Sequence, residues 1–274
     1  MKQILYLVSR VPTGYSGREY ILKQNLKFLR NNGYNIHLAY IGSYGDARVL
    51  LDSQVVDFLL PIKKHSFLYS LKNIVTKWEL SLQERLFYSK RGKEEIRSYI
   101  NRYNIDIVLV DMIRMSSYVL GDLSTKKLIE YDDLLSVRYD RMLNVDQTQN
   151  NPLGTFSDKF PKVFSSAVKF FGKQVLTYEA KKIRMREEIL ATHFKSISFT
   201  SSLEAEEFER LYKNKESNFK CFSNPPCINS QRNIVPFVKK NDFIFVGNMK
   251  SNHNLACLKN IKEIIDILKE NGTT

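Results

Sequence analysis

Residues 1–33, "MKQILYLVSRVPTGYSGREYILKQNLKFLRNNG", decide the fold. "ILYLV" at 4–8 is an unbroken apolar run, the pattern of a strand buried on both faces of a parallel sheet. A loop with Gly14 and Gly17 follows. Leu22, Leu26 and Leu29 then recur at i, i+4 and i+7, with Ile21 and Phe28 beside them. That spacing predicts an amphipathic helix, and Gly33 stands where a helix end favours glycine. Strand, glycine loop and helix together form the first unit of an α/β sheet.

The alternation continues along the chain. "NIHLAYIG" is a second strand, and "DFLLPI" is a short third one, stopped by Pro61. Residues 66–90 carry helical spacing, and "KEEIRSYINRY" is a further helix. "IDIVLVD" at 105–111 is a buried strand, followed by a short helix near "MSSYVLGDL" and the strand "KKLIEY". Residues 144–154 form a polar loop, and 156–192 read as helical, broken near Gly172. "SISFT" is a strand, "SSLEAEEFERLY" a helix capped by Ser201 or Ser202, and "FKCFS" a last strand. Such alternation predicts a Rossmann-like, doubly wound parallel sheet, whose ligands bind beyond the carboxyl ends of the strands. The "PTGYSGR" loop, "DMIRMSS" with Arg114, and "EYDDLLSVRYDR" at 130–141 all project toward that edge.

From 224 the pattern breaks. "NPPCINSQRNIVPFVKKN" has three prolines and no periodicity, which marks a linker. "DFIFVGNM" then opens a new strand, and "NLACLKNIKEIIDILKENG" is a new amphipathic helix. One βα unit cannot cover its own apolar faces. The expected organisation is therefore a complete domain over 1–222, a linker over 223–241, and the first strand–helix unit of an incomplete second Rossmann-like domain over 242–274.

The 274 residues carry a net charge of +13, which suits anionic partners or simply a lysine-rich soluble surface. Neither an arginine-rich tail nor a zinc-finger spacing is present, which argues against nucleic acid as a partner. No apolar run approaches the roughly 20 residues needed to span a bilayer. Cys221, Cys227 and Cys257 cannot all pair with one another, and a reducing, cytoplasmic setting is expected. The four histidines lack metal-ligand spacing, and no Asp-x-Asp occurs, so no metal site and no cofactor are expected.

Gly14 and Gly17 would let backbone N–H groups approach a phosphate at a helix start, with Arg18 adding charge; an ordinary turn explains the same residues. Asp132 and Asp133 offer hydroxyl acceptors or a general base, against a simpler role as helix N-cap. Ser136 and Arg138 lie within the next two turns, and Arg138 either pairs with an Asp or touches substrate. Residues 156–195 hold nine Lys/Arg against four Asp/Glu, interleaved with aromatics. Such a stretch suits an anionic membrane surface, or is an ordinary surface helix.

Four stretches resemble the family-4 glycosyltransferases of the two-Rossmann-domain architecture, GT-B. They are "LVSRVPTGYSGREYILKQNLKFLRNNGYNIHLAYI", "LIEYDDLLSVRYDRM", "LTYEAKKIRMREEILATHFKSISFTSSLEAEEFERLY" and "FIFVGNMKSNHNLACLKNI", in family order across most of the chain. The resemblance implies an N-terminal acceptor-binding domain and a C-terminal domain that binds a nucleotide-sugar donor. The implied reaction moves a sugar to a saccharide or polyprenyl-linked acceptor in cell-surface polysaccharide biosynthesis, at the cytoplasmic face of the membrane. Asp132 and Asp133 would be catalytic. Gly14, Gly17, Arg18, Arg114, Ser136 and Arg138 would meet substrate, and Gly247, Asn248 and Lys250 would stand on the donor side. Two departures stand out. Glu130 to Asp133 occupy the region where many members carry a His, and Asn248 stands where a basic residue is common. The family's donor-binding Glu segment lies past residue 274, so little or no transferase activity is expected of these residues alone. A non-catalytic acceptor-binding or membrane-anchoring subunit is the alternative reading.

Overall fold

A computed structural model describes residues 1–14, 16–64, 66–121, 124–144, 172–214, 217–226, 245 and 252–272. They belong to two compact units, Met1–Arg138 with Glu179–Ile228, and Tyr139–Tyr178 with Asn229–Thr274. The first contains one sheet of seven parallel strands: β1 (Gln3–Val8), β2 (Asn35–Ile41), β3 (Phe58–Ile62), β4 (Ile107–Asp111), β5 (Lys126–Asp132), β6 (Ser196–Phe199) and β7 (Lys220–Ser223). Their spatial order is β3-β2-β1-β4-β5-β6-β7. The order runs one way from β1 and the other way from β4, so the topological switch point lies between these two strands.

The unbroken apolar runs occupy the sheet interior, as expected. Ile4 to Val8 and Ile36, Leu38 and Tyr40 are buried. Helix α1 (Gly17–Asn31) packs Leu22 and Leu26 into the same core, with Ala47 and Leu50 of α2 (Tyr44–Asp52). Each fully buried leucine contributes roughly 1.5–3 kcal/mol. His37, buried in β2, is a structural residue: its ring nitrogens meet Tyr99 Oη and Gln3 Oε1, each at 2.8 Å, and it stacks on Phe58.

Some boundaries differ from the sequence reading. The helical spacing over 66–90 resolves into α3 (Phe67–Thr76), α4 (Leu82–Phe87) and the start of α5 (Lys90–Arg102). Three serines are the cause. Ser66, Ser81 and Ser89 each sit at an N-cap and accept the backbone N–H three residues on, from Tyr69, Glu84 and Gly92. A serine in this role starts a new helix rather than extending an old one. Helix α2 has no counterpart in the sequence reading, although Asp46 accepts the Ser43 N–H at 2.7 Å, a capping contact. Pro61 does not stop β3 but lies within it, opposite Tyr40; β3 is an edge strand, where a missing N–H is tolerated. The short helix after β4 is α6 (Ile113–Ser116), slightly earlier than expected. The remaining helices of this unit are α7 (Leu135–Asn144) and α8 (Gly172–His193), each shared with the second unit, and α9 (Ser202–Tyr212). The second unit also carries α10 (Asn252–Glu270), the amphipathic helix read from the sequence. The expected strand at 242–249, the linker beyond Pro226, and 156–171 of the basic stretch lie outside the described residues, Phe245 excepted.

Candidate active site

At the switch point, the carboxyl ends of β4 and β5 meet the first turn of α1. Ser16 caps α1 and accepts the Glu19 N–H through its hydroxyl. Arg18, in that first turn, reaches back over the strand ends. Its Nε and Nη2 donate to Asp111 Oδ1 at 2.9 and 2.7 Å. Nη2 also lies 3.3 Å from Glu130 Oε2, and Nη1 lies 3.4 Å from Asp132 Oδ1. Asp111 ends β4, and Glu130 is its cross-strand neighbour on β5. The other Glu130 oxygen accepts from Asn25 Nδ2 at 2.9 Å, and Tyr6 Oη donates to Oε2. Arg18 and Asn25 are seven residues apart on α1, so one helix face delivers both.

One guanidinium thus serves three carboxylates, and the electrostatics show the imbalance. Burial pushes the Glu130 carboxyl above its usual range, and Arg18 only partly offsets this. Burial also raises Asp132, against the pull of Arg18 and, more weakly, Arg114; the adjacent charges of Asp133 and Asp111 add to the rise. Burial alone would lower Arg18, but Asp111 and Asp132 hold it firmly protonated. Asp111 is fully buried, and its Oδ2 has no hydrogen-bond partner. A buried carboxylate oxygen left unpaired is expensive, as it is at Asp133 Oδ1 nearby. Asp132 is the accessible member, with 29% of its side chain exposed.

The backbone here is strained as well. Met112, directly after Asp111, has φ +62° and ψ 164°, and Asp132 has φ +70°. Each such non-glycine residue costs on the order of 1–3 kcal/mol and persists only when its surroundings hold it. Met112 N–H donates to the Glu130 carbonyl at 2.9 Å. The Asp132 carbonyl accepts from Thr200 N at 3.1 Å and Thr200 Oγ1 at 2.8 Å. The β5–β6 register shifts between Glu130 and Asp132, an irregularity that re-aims the strand end.

Of the residues singled out in the sequence, Arg18 and Asp132 meet in this cluster. Arg114 is buried on α6, with its guanidinium 5.7 Å from the Phe87 ring centre, and is near enough to act on Asp132. Asp133 pairs with Arg138 instead, the internal pairing weighed for that arginine. The cap of α7 departs from expectation. The Leu134 and Ser136 N–H groups go to Glu204 Oε1 (3.1 Å) and Glu187 Oε1 (3.2 Å), not to the neighbouring aspartates. Ser136 is buried in that second group, with Glu187, Tyr131 and Tyr212. Gly14 has φ +95°, which glycine adopts readily; at Gly17 an added Cβ would meet nothing within 4 Å. Arg18 turns its charge to carboxylates, so it does not add to a phosphate cradle in the loop. Gly247, Asn248 and Lys250 lie outside the described residues.

Asp111, Asn25, Tyr6 and Glu130 are members of the cluster that the sequence alone does not single out. The signal for Asp111 was present, since a charged residue closes the apolar run "IDIVLVD". Asn25 continues the inward stripe of Leu22, Leu26 and Leu29. Tyr6 looks like any aromatic of a buried strand. Among the described residues, no grouping of three or more His, Cys, Asp or Glu side chains is arranged to hold a metal ion. No helix among them is long and apolar enough to cross a membrane.

No protein-family model matches the sequence, and no curated protein shows significant sequence similarity to it. Solved structures do match by shape. Sucrose-phosphate synthase from Thermosynechococcus elongatus aligns with TM-score 0.51 at 12% identity, over 81% of this chain and 48% of that one. UGT71G1 of Medicago truncatula, solved with UDP-glucose, aligns with TM-score 0.46 at 10% identity, over 82% of this chain and 51% of that one. The chain therefore spans about half the length of the structures it matches. By fold it resembles the GT-B glycosyltransferases over most of its own length.

Proposed function

We propose that residues 1–222 are the acceptor-binding domain of a GT-B glycosyltransferase, with the linker over 223–241 and the start of the donor half over 242–274. In this reading the enzyme moves a sugar from a nucleotide sugar to a hydroxyl of a saccharide or polyprenyl-linked acceptor, in cell-surface polysaccharide biosynthesis. The observation that carries it is the surplus of buried carboxylate at the switch point, with one oxygen of Asp111 unpaired and Asp132 accessible.

An acidic, half-dry site repels phosphate and attracts hydroxyl donors. Asp132, raised in basicity by burial, orients the acceptor hydroxyl and takes its proton as the new glycosidic bond forms. Asp111, fully buried, holds Arg18 in place behind Asp132 rather than meeting the sugar itself. Arg18 limits the repulsion among the three carboxylates and fixes their positions. Strain at Met112 and Asp132 serves the same end, because a site held in advance loses nothing to reorganisation during reaction. The donor diphosphate is met by the other half, where Gly247, Asn248 and Lys250 belong in this reading.

The test is a transfer assay of the chain joined to its donor-binding half, with UDP-, GDP- and dTDP-sugars against polyprenyl-phosphate saccharide primers and free oligosaccharides. Incorporation of label that is lost in Asp132→Asn supports the reading. Saturable binding of phosphate or nucleotide at the Arg18 cluster, with no affinity for any saccharide, would overturn it.

A further inference from the structure

Helix α3 is amphipathic in the wrong sense. Its buried positions are Ser70 and Asn73. Leu68 and Val75 face outward, 74% and 57% exposed, and Leu71 lies between them on the same side. Trp78, two residues past the helix, is 61% exposed. A solvent-facing helix normally turns apolar residues in and polar residues out. Here the inward polar contacts are specific. Asn73 Nδ2 donates to the carbonyls of Arg85 (3.1 Å) and Tyr88 (2.8 Å). Arg85, itself buried, donates to the carbonyls of Leu80 (2.8 Å), Ile74 (2.9 Å) and Trp78 (3.2 Å). Its guanidinium also sits 5.5 Å from the Trp78 ring centre. The exposed apolar face is therefore built in place by five hydrogen bonds, and it does not arise from a loose segment.

Cations accompany this face. Lys63 and Lys64, just before the helix, and Lys72 on it are exposed, and Glu79, next to Trp78 in sequence, is paired with Lys77 at 3.8 Å. Aliphatic side chains and a tryptophan set among lysines match the boundary between lipid headgroups and acyl chains, where tryptophan concentrates. Lysine supplies the attraction to anionic headgroups. We propose that the outer face of α3 with Trp78 docks onto an anionic lipid bilayer. A protein partner would need a matching groove and acidic rim, whereas a bilayer supplies both chemistries over any convex surface. The proposal rests on α3 alone and stands whether or not the chain transfers sugar.

Trp78 is the single tryptophan of the chain, so its fluorescence reports this surface directly. The full chain is mixed with vesicles of phosphatidylcholine, with or without 30% phosphatidylglycerol. The expected result is a blue shift of Trp78 emission and quenching by brominated acyl chains on the anionic vesicles, with at least tenfold weaker binding to the neutral ones. Leu68→Ser with Val75→Ser, both on exposed positions, should lower binding at least tenfold and leave the melting temperature unchanged. Lys63→Glu with Lys64→Glu should lower it comparably, and only on the anionic vesicles. Binding that survives both double variants, or binding without a change in Trp78 emission, places the contact elsewhere and overturns the proposal. A blue shift that appears with rising protein concentration in the absence of vesicles means that a second copy covers α3, and also overturns it.

Discussion

Two buried charge groups lie in the same domain, and they are built to opposite rules. Glu84 on α4 is matched one to one with Arg186 on α8, at 2.8 and 2.7 Å. Its remaining capacity is filled by Ser81, Ser116 and Ser117. Every oxygen is satisfied, and the pair ties α4 and α8 to α6. The Arg18 group has three carboxylates for one guanidinium, an unpaired oxygen, two strained residues and one member open to solvent. Saturation identifies a scaffold, because nothing remains for a ligand to meet. Surplus charge and an unmet acceptor, kept at a stability cost, make the Arg18 group the candidate site.

The contrast breaks first at the saturated pair. Glu84→Ala leaves the Arg186 guanidinium buried without its counter-charge, and about 3–5 kcal/mol of stability should be lost. Urea denaturation checks this; a loss below ~1 kcal/mol would mean that the pair is not structural. The next effect is pH dependence. Glu179, which accepts the Leu82 and Gln83 N–H groups, is raised by burial to about 7. It binds a proton more readily folded than unfolded, so its contribution is complete below its ordinary value of 4.5 and is lost as pH rises through about 7. The loss is on the order of 3 kcal/mol. Glu130, Asp132 and Glu187 are raised in the same direction and add to it. Unfolding free energies at pH 5 and pH 8 should therefore favour pH 5, and Glu179→Gln should flatten the slope.

Smaller effects separate neighbours that look alike in sequence. Gly14→Ala forces a side chain into φ +95° and should cost about 1–2 kcal/mol, while Gly17→Ala, at a helical position with open space, should cost nothing. Asp133→Ala removes a part-exposed pair with Arg138 and should cost at most ~1 kcal/mol, with turnover unchanged. A large loss of turnover in that variant would move the site from Asp132 to Asp133.

The parallel sheet was legible in the sequence because "ILYLV" and "IDIVLVD" cannot be satisfied on a half-exposed surface. The helix breaks over 66–90 were harder to read, since Ser81 and Ser89 are common surface residues until their hydroxyls are seen on a backbone N–H. Asp132 and Arg18 were legible from their positions after strand and loop. Their partners were not, because Tyr6, Asn25, Asp111 and Glu130 come together only through the sheet order, over as many as 124 residues of separation. The cap of α7 was misread for the same reason. Asp132 and Asp133 are adjacent to it in sequence, yet Glu187 and Glu204, far along the chain, reach it first.

The central claim is that the unsaturated cluster is the reacting site, and Asp132→Asn tests it most directly. Asparagine tolerates positive φ, so the strained backbone at 132 is kept, while the base is removed. In the enzyme completed with its donor-binding half, turnover per folded molecule in sugar transfer should fall by about 10²–10⁴, with the unfolding free energy within ~1 kcal/mol of the parent. Unchanged turnover in a folded Asp132→Asn protein would contradict the account and reduce the Arg18 cluster to a second structural ion pair.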